Sequence, residues 1–154
     1  MYTLLIGITV FLLDRFSKIL VEHRMYPGES IPVISGIFHL TFVRNPGAAF
    51  GLLAEQRGLF LVTSTVIIVL ILVFIRRLDE LGWLYRLVFG LVLGGAAGNL
   101  YDRLLTGRVV DFLDFRVWPV FNLADSAIVI AALLLAYRFI FAGDKGEKRS
   151  ERAR

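Results

Sequence analysis

The chain has 154 residues, of which 57% are hydrophobic, a mean hydropathy of +0.73 and a net charge of +4. Ordinary soluble domains contain about 45–50% apolar residues, so this composition excludes that class. The absence of cysteine excludes disulfides and thiol catalysis, and two separated histidines argue against a zinc site of the His/Cys type. We therefore expect a membrane protein without a metal or other cofactor.

Four apolar segments approach the roughly 20 residues that a membrane-spanning helix requires. They cover residues 2–21, 59–75, 84–105 and 123–142. The first lacks a basic leader and a small-residue cleavage site, so it is expected to be retained as a span. The sequence thus predicts a membrane α-helical fold with four transmembrane helices. We expect a single integral membrane domain over residues 1–154, with a basic cytoplasmic tail at 143–154.

The distribution of basic residues predicts the orientation of these spans. Nine Lys and Arg residues lie in the second loop, in the tail or at the span ends beside them, whereas six lie in the loops on the opposite side or at the adjoining span end. Cytoplasmic loops carry the excess of positive charge, so both termini are expected in the cytoplasm. The basic tail suits an anionic inner leaflet, and neither a nucleic-acid partner nor an obligate protein partner is expected.

The first apolar segment contains an acid and a base four residues apart, Asp14 and Lys18. This spacing places both on one helical face in the order that favours an ion pair. Because charges are costly inside a bilayer, the pair should face the helix bundle or water. A purely structural ion pair and a role in a functional site both remain open.

Residues 25–53 contain too many glycines and prolines for a span. The alternation of apolar and polar residues at 38–42 predicts a strand, with His39 on its polar face. We expect a small extracytoplasmic β-sheet between helices 1 and 2. Asn45, Pro46 and Gly47 predict a turn, although the Asn45 amide could also hold an extended peptide.

The third apolar segment carries glycine at every fourth position, and the same helical face continues to an acid: Gly90, Gly94, Gly98 and Asp102. Small residues at this spacing allow helices to pack closely in lipid. Asn99 and Arg103 lie on the neighbouring row. Helix packing explains the glycines, but it does not explain why polar residues follow them on the packed face.

Residues 109–126 contain three acids, Asp111, Asp114 and Asp125. An aromatic, proline-containing loop separates the outer two, so a chain reversal could bring their carboxylates together. Two carboxylates that share a proton can act as general base and general acid. Alternatively, residues 122–125 form a helix N-cap with a capping-box acid, and Asp111 and Asp114 are solvated loop acids.

Two other classes of function fit the sequence less well. A small ion or proton carrier would need polar residues that lead to the inner face, whereas the inner halves of the third and fourth spans are apolar. A structural membrane adaptor would explain the glycines. It would not explain why acids from separate segments reach the same depth near the outer surface.

Five stretches, in this order, resemble the motifs of lipoprotein signal peptidase, also called signal peptidase II: 14–18 (DRFSK), 45–50 (NPGAAF), 94–103 (GGAAGNLYDR), 109–112 (VVDF) and 121–126 (FNLADS). Each stretch alone is weakly specific, but the five together on a four-span scaffold are highly specific. One departure is Gly51, where the family pattern leads us to expect serine. It touches no proposed catalytic group.

This resemblance implies an aspartyl endopeptidase of the bacterial cytoplasmic (inner) membrane. Such an enzyme removes the signal peptide from a diacylglyceryl-modified prolipoprotein, just before the lipidated cysteine and at the outer face of the membrane. The expected partners are therefore that substrate and membrane lipid. Carried over motif by motif, the catalytic pair falls on Asp111 and Asp125, and Asp114 is left as a loop acid. Positions that support the site or bind substrate fall on Asn45, Asn99, Arg103, Asn122, Asp14 and Lys18.

Overall fold

The computed structural model describes residues 1–47 and 57–151, with residues 142–151 described by their backbone alone. Seven elements follow in chain order within these ranges. They are helix α1 (Tyr2–Arg24), strands β1 (Ser30–Ile34) and β2 (Phe38–Asn45), helices α2 (Arg57–Glu80) and α3 (Trp83–Leu105), strand β3 (Val109–Asp114) and helix α4 (Leu123–Glu151).

Each of the four apolar segments forms a helix, as the sequence predicts. Within the described ranges, three helices are long and apolar enough to cross a membrane: α2, α3 and Leu123–Phe141 of α4. Helix α1 has 23 residues, but Asp14, Arg15 and Lys18 lie in its middle and reduce its hydropathy. Length and apolarity therefore identify three spans rather than the four expected.

Helix α3 lies at the centre of the bundle and packs against the other three helices. Its glycines make this close packing possible. A Cβ atom at Gly94 would lie 2.5 Å from the carbonyl oxygen of Gly7 in α1. One at Gly95 would lie 2.5 Å from the carbonyl oxygen of Ala124 in α4. The two rows of small residues thus contact two different helices, which confirms the predicted close packing.

The three strands form one antiparallel sheet in the order β1-β2-β3. The predicted strand at residues 38–42 is confirmed as part of β2. The predicted position of the sheet, between helices 1 and 2 only, is wrong because β3 comes from the connection between α3 and α4. Five of the six β3 residues are buried, so this strand has none of the apolar–polar alternation that marks a half-exposed strand.

The inner face of the sheet packs on the end of α1. Phe42 of β2 and Val110 and Phe112 of β3 are buried against Val21 and Met25. Apolar burial contributes roughly 25 cal/mol per Å². This cluster therefore fixes β3, which carries Asp111, relative to the helix bundle.

The chain reverses between β3 and α4, as predicted. The Leu113 amide donates to the Phe121 carbonyl at 2.7 Å, and the Phe121 amide donates back at 3.1 Å. Helix α4 then begins after Asn122, whose side-chain oxygen accepts the backbone amide of Asp125 at 2.9 Å. This cap matches the N-cap that the alternative interpretation of residues 122–125 placed at Asn122. The reversal brings the first turn of α4 back to β3.

Candidate active site

Asp111 from β3 and Asp125 from the first turn of α4 line the same cavity, which has a volume of about 250 Å³. Asn45 and Arg103 also line it. The remaining wall is formed by Gly47, Phe60, Val109, Trp118, Pro119, Val120 and Phe121. The cavity thus combines two carboxylates, one guanidinium and one side-chain amide with an apolar and aromatic wall.

Asp111 is only 2% exposed, and amide groups bind both of its carboxylate oxygens. Oδ2 accepts a hydrogen bond from Asn45 at 2.8 Å, and Oδ1 accepts one from Asn122 at 2.6 Å. Burial, together with the charge of Asp125, raises the pKa of Asp111 to about 7 despite these two hydrogen bonds. Asp111 can therefore hold a proton near neutral pH.

Asp125 has a different environment. Its carboxylate is partly exposed and accepts a hydrogen bond from Nδ2 of Asn99 at 2.7 Å. It also lies at a helix N-terminus, where the helix dipole favours a negative charge. Two carboxylates in such different surroundings can take different roles in proton transfer.

A short chain of side-chain amides connects both acids to α1. The Oδ1 atom of Asn99 accepts hydrogen bonds from Lys18 at 3.1 Å and from Asn122 at 3.2 Å. Because this oxygen faces two donors, the Asn99 amino group must point to the opposite side, towards Asp125. Lys18 thereby fixes the orientation of the group that binds Asp125.

Lys18 also forms the centre of a buried ion cluster. Its ammonium lies 2.8 Å from a carboxylate oxygen of Asp14 and 2.8 Å from one of Asp102, and Asp14 and Lys18 are fully buried. Arg15 pairs with the other oxygen of Asp102, so two cations balance two anions. Asp14 further accepts the Ala124 amide at 3.0 Å, which ties α1 to α4.

The predicted ion pair between Asp14 and Lys18 is confirmed, but its extension to Arg15 and Asp102 was missed. The sequence did contain a signal for Asp102. It continues the glycine face of α3, and that face packs against α1, which carries Lys18.

Arg103 lies beside the two acids in the cavity wall. Its guanidinium stacks 4.7 Å from the centre of the Phe60 ring, and its carbonyl accepts a hydrogen bond from Arg57 at 2.7 Å. Among the residues the structure describes, the guanidinium itself makes no hydrogen bond or ion pair. Within that part of the chain, its donors can therefore reach a molecule in the cavity.

Asn45 serves both as a turn residue and as a partner of Asp111. Its Oδ1 accepts the Gly47 amide at 2.9 Å, which confirms the predicted turn, and its Nδ2 donates to the acid. The rest of this motif, residues 48–50, lies outside the described residues, as does the departure at Gly51.

The interpretation of Asp114 as a solvated loop acid is wrong. It is the last residue of β3 and only 4% exposed. Burial raises its pKa, but hydrogen bonds from the Thr41 hydroxyl and the Arg116 amide, together with the Arg116 charge, outweigh this effect and hold the pKa below its usual range. Asp114 is not part of the cavity wall. The placement of His39 on the polar sheet face is confirmed, because its ring contacts Ser30 there.

Comparison with known proteins is consistent with this geometry. The sequence profile of the family described as "Signal peptidase (SPase) II" matches residues 6–141. The chain is 47% identical over 146 residues to the lipoprotein signal peptidase of Moorella thermoacetica, covering 94% of this chain and 97% of the relative. It is 47% identical over 152 residues to the lipoprotein signal peptidase of Pelotomaculum thermopropionicum, covering 99% and 100%.

The fold is also shared with solved structures. A bacterial membrane enzyme determined at 2.3 Å superimposes with a TM-score of 0.82 at 31% identity, covering 95% of this chain and 90% of that one. The three apolar helices and this relationship identify an integral membrane protein. With the match of the family profile to most of its length, the chain belongs to the signal peptidase II family of peptidases.

Proposed function

We propose that this protein is an aspartyl endopeptidase that removes the signal peptide from diacylglyceryl-modified prolipoproteins, cleaving just before the lipidated cysteine. The observation that carries the proposal is that Asp111 and Asp125 come from separate elements and line one cavity. The names of the relatives, lipoprotein signal peptidases, support the substrate class. Peptide hydrolysis without a nucleophilic side chain requires an acid and a base, and the two carboxylates supply both.

In this mechanism Asp111 carries the shared proton and Asp125 is ionised. The raised pKa of Asp111 supports the first assignment, and the helix N-terminus with the Asn99 hydrogen bond supports the second. Asp125 takes a proton from a water molecule as the water oxygen attacks the scissile carbonyl carbon. Asp111 gives its proton to the carbonyl oxygen, which leaves a tetrahedral diol.

The diol collapses by the reverse transfers. Asp125 gives its proton to the leaving nitrogen, the carbon–nitrogen bond breaks, and Asp111 takes a proton from one hydroxyl. The products are a carboxylic acid and an amine, and both acids regain their starting protonation states. A single carboxylate cannot perform both transfers, so each acid is expected to be indispensable.

Six further residues have proposed supporting roles. Asn45 and Asn122 hold Asp111, while Asn99 holds Asp125. Asp14 and Lys18 support Asn99 through the buried ion cluster. Arg103, which lines the cavity beside the acids, is proposed to bind a substrate carbonyl oxygen.

We further propose that α1 is the fourth transmembrane helix of a single domain over residues 1–154. Its charges argue against a span only if they face lipid, but Asp14 and Lys18 are fully buried and balanced within the bundle. Four spans place both termini on one side, and the excess of basic residues in the tail supports the cytoplasm. The acids then lie towards the outer side, where the acyl chains of a substrate stay in the leaflet while the scissile bond meets water.

Reporter fusions test this orientation. A reporter that is active only in the cytoplasm should be active after Arg154, and a reporter of the outside should be active when inserted at Glu55. An outside signal from the C-terminal fusion would contradict the orientation, because the acids would then face the cytoplasmic leaflet.

The function itself is tested with the purified protein in lipid. One precursor carries diacylglycerol on its cysteine and the matched precursor does not. We expect cleavage of the lipidated precursor alone. The mass of the product should place its new N-terminus at the modified cysteine. Equal cleavage of both precursors, or cleavage elsewhere, would refute the proposed specificity.

A further inference from the structure

Both carboxylate oxygens of Asp114 accept hydrogen bonds from residues that do not line the cavity. Oδ1 accepts the backbone amide of Arg116 at 2.8 Å. Oδ2 accepts the Thr41 hydroxyl at 2.7 Å and the Arg116 guanidinium at 3.0 Å. Arg116 is also the only non-glycine residue with positive φ, at 65°, in the described part of the chain. This backbone conformation is unfavourable for residues other than glycine, so local bonds must hold it.

The segment that begins at Arg116 forms one wall of the cavity. Trp118, Pro119 and Val120 all line the space that contains Asp111 and Asp125. Both ends of the segment are fixed by aromatic contacts: the Phe115 ring lies 4.9 Å from that of Phe38 in β2 and 5.9 Å from that of Phe121. Between these ends, Asp114 binds both the backbone amide and the guanidinium of Arg116, where the turn begins.

We propose that Asp114 is a positioning residue. It holds Arg116 in its left-handed conformation and thereby places the cavity wall formed by Trp118, Pro119 and Val120 against the substrate. The effect on cleavage rests on the proposed function; the effect on the wall does not. Asp114 has no contact with the two catalytic acids, so it acts through the loop. Its removal should therefore weaken substrate binding more than the chemical step.

A chain of side-chain hydrogen bonds connects Asp114, through Thr41, to the other two strands of the sheet. The Thr41 hydroxyl donates to Asp114, so the Ser30 hydroxyl, 2.8 Å away, must donate to Thr41. The Nδ1 atom of His39, 3.1 Å from Ser30, is then the donor to that hydroxyl. All donors in this chain point towards Asp114, which fits an ionised carboxylate at its end and links the wall to β1 and β2.

The mobility of Trp118 reports on the wall without any cleavage assay. In a Trp83→Phe background Trp118 is the sole tryptophan. Asp114→Ala should increase acrylamide quenching of its fluorescence and lower its anisotropy. Thr41→Val, which keeps the side-chain shape and removes one hydrogen bond, should cause the same change to a smaller degree. Thr63→Val is the matched control, because in the described part of the chain the Thr63 hydroxyl bonds only to backbone of its own helix.

Kinetics with the lipidated precursor give a second readout. Loss of the charged anchor should raise KM about 10-fold, with kcat changed much less. Arg116→Gly provides the decisive test, because glycine adopts positive φ without strain. In the Asp114→Ala background it should return KM and Trp118 quenching towards the values of the unsubstituted protein.

An unchanged Trp118 signal in folded Asp114→Ala and Thr41→Val would overturn the proposal, as would the absence of rescue by Arg116→Gly. If Asp114→Ala does not fold, Thr41→Val alone tests the proposal, and an unchanged Trp118 signal in that variant overturns it. Failure of the unsubstituted protein to cleave any lipidated precursor would contradict the proposed function instead, while the fluorescence experiment would still test the anchor.

Discussion

The side-chain amino group of Asn122 lies 2.6 Å from Oδ1 of Asp111, while its side-chain oxygen caps the helix that carries Asp125. One residue therefore orients one acid directly and the other through the start of α4. The two tasks require different atoms, so a substitution can separate them.

Asn122→Ser tests this separation. Serine is as good an N-cap as asparagine, so the thermal unfolding midpoint should change little. The donor to Asp111 is lost, and a hydrogen bond to a charged or proton-sharing group corresponds to about 10–100-fold in kcat. Asn122→Ala should lose both the cap and the donor. Full activity of folded Asn122→Ser would show that the contact with Asp111 has no part in the reaction.

Asp111→Asn and Asp125→Asn should each abolish cleavage while the protein still folds. One positioned acid–base group contributes about 10²–10⁴-fold, and because the pair acts as a unit the double variant should be hardly worse than either single variant. Activity is measured on the diacylglyceryl-modified precursor with samples matched for folded protein. If Asp125 is only a capping residue, Asp125→Asn should instead keep its activity and lose about 0.5–2 kcal/mol of stability.

The pKa of Asp111 predicts how stability depends on pH. The carboxyl titrates at 3.8 in the unfolded chain and at about 7 in the folded protein. As the pH rises between these values, the unfolded state loses a proton that the folded state keeps, so the free energy of unfolding falls. Asn cannot ionise. Asp111→Asn should therefore become more stable than the unsubstituted protein over this interval, by at most about 4 kcal/mol, and not below it.

Thermal unfolding in detergent across this pH range measures the difference between the two proteins. Parallel curves would contradict a raised pKa at Asp111. The proposed mechanism requires a proton on Asp111, so cleavage should also decline as the pH rises through about 7.

The buried ion cluster predicts an order of stabilities. Asp14→Asn leaves Lys18 in contact with Asp102 and Asn99, whereas Lys18→Met leaves two carboxylates without their shared cation. Breaking a buried pair costs about 3–5 kcal/mol. Lys18→Met should therefore lower the unfolding midpoint more than Asp14→Asn, and the double variant should regain part of the loss. In Asp14→Asn, stability should fall at least as much as specific activity per folded molecule.

The reverse order would contradict the role of Lys18 as the centre of the cluster. An Asp14→Asn variant that is stable but inactive would move Asp14 from the supporting cluster into the chemistry. Thermal unfolding and cleavage of the lipidated precursor, measured on the same preparations, distinguish these outcomes.

Contacts within one helix or one short connection were predictable from the sequence. The ion pair of Asp14 and Lys18 and the cap of α4 by Asn122 follow from spacings of four and three residues. The contact of Lys18 with Asp102 was not predictable in the same way. It depends on which face of α3 packs against α1, and nothing in either helix alone determines this.

The strand that carries Asp111 and Asp114 could not be predicted from its hydrophobic pattern. Five of the strand's six residues are buried, so the hydrophobic pattern that marks a half-exposed strand is absent. Without the strand, Asp114 looked like a loop residue. Its burial and its anchor to Arg116 follow from pairing with β2, whose Thr41 supplies one of its hydrogen bonds.

The hydrogen bond from the Ala124 amide to Asp14 joins residues 110 positions apart. During synthesis the first helix leaves the ribosome long before the last, so the Asp14 carboxylate lacks this donor until α4 enters the bilayer. Asp125 arrives with the same helix. A nascent chain that stops short of α4 therefore holds Asp111 without Asp125, so the proposed pair of acids is complete only after the last helix has inserted.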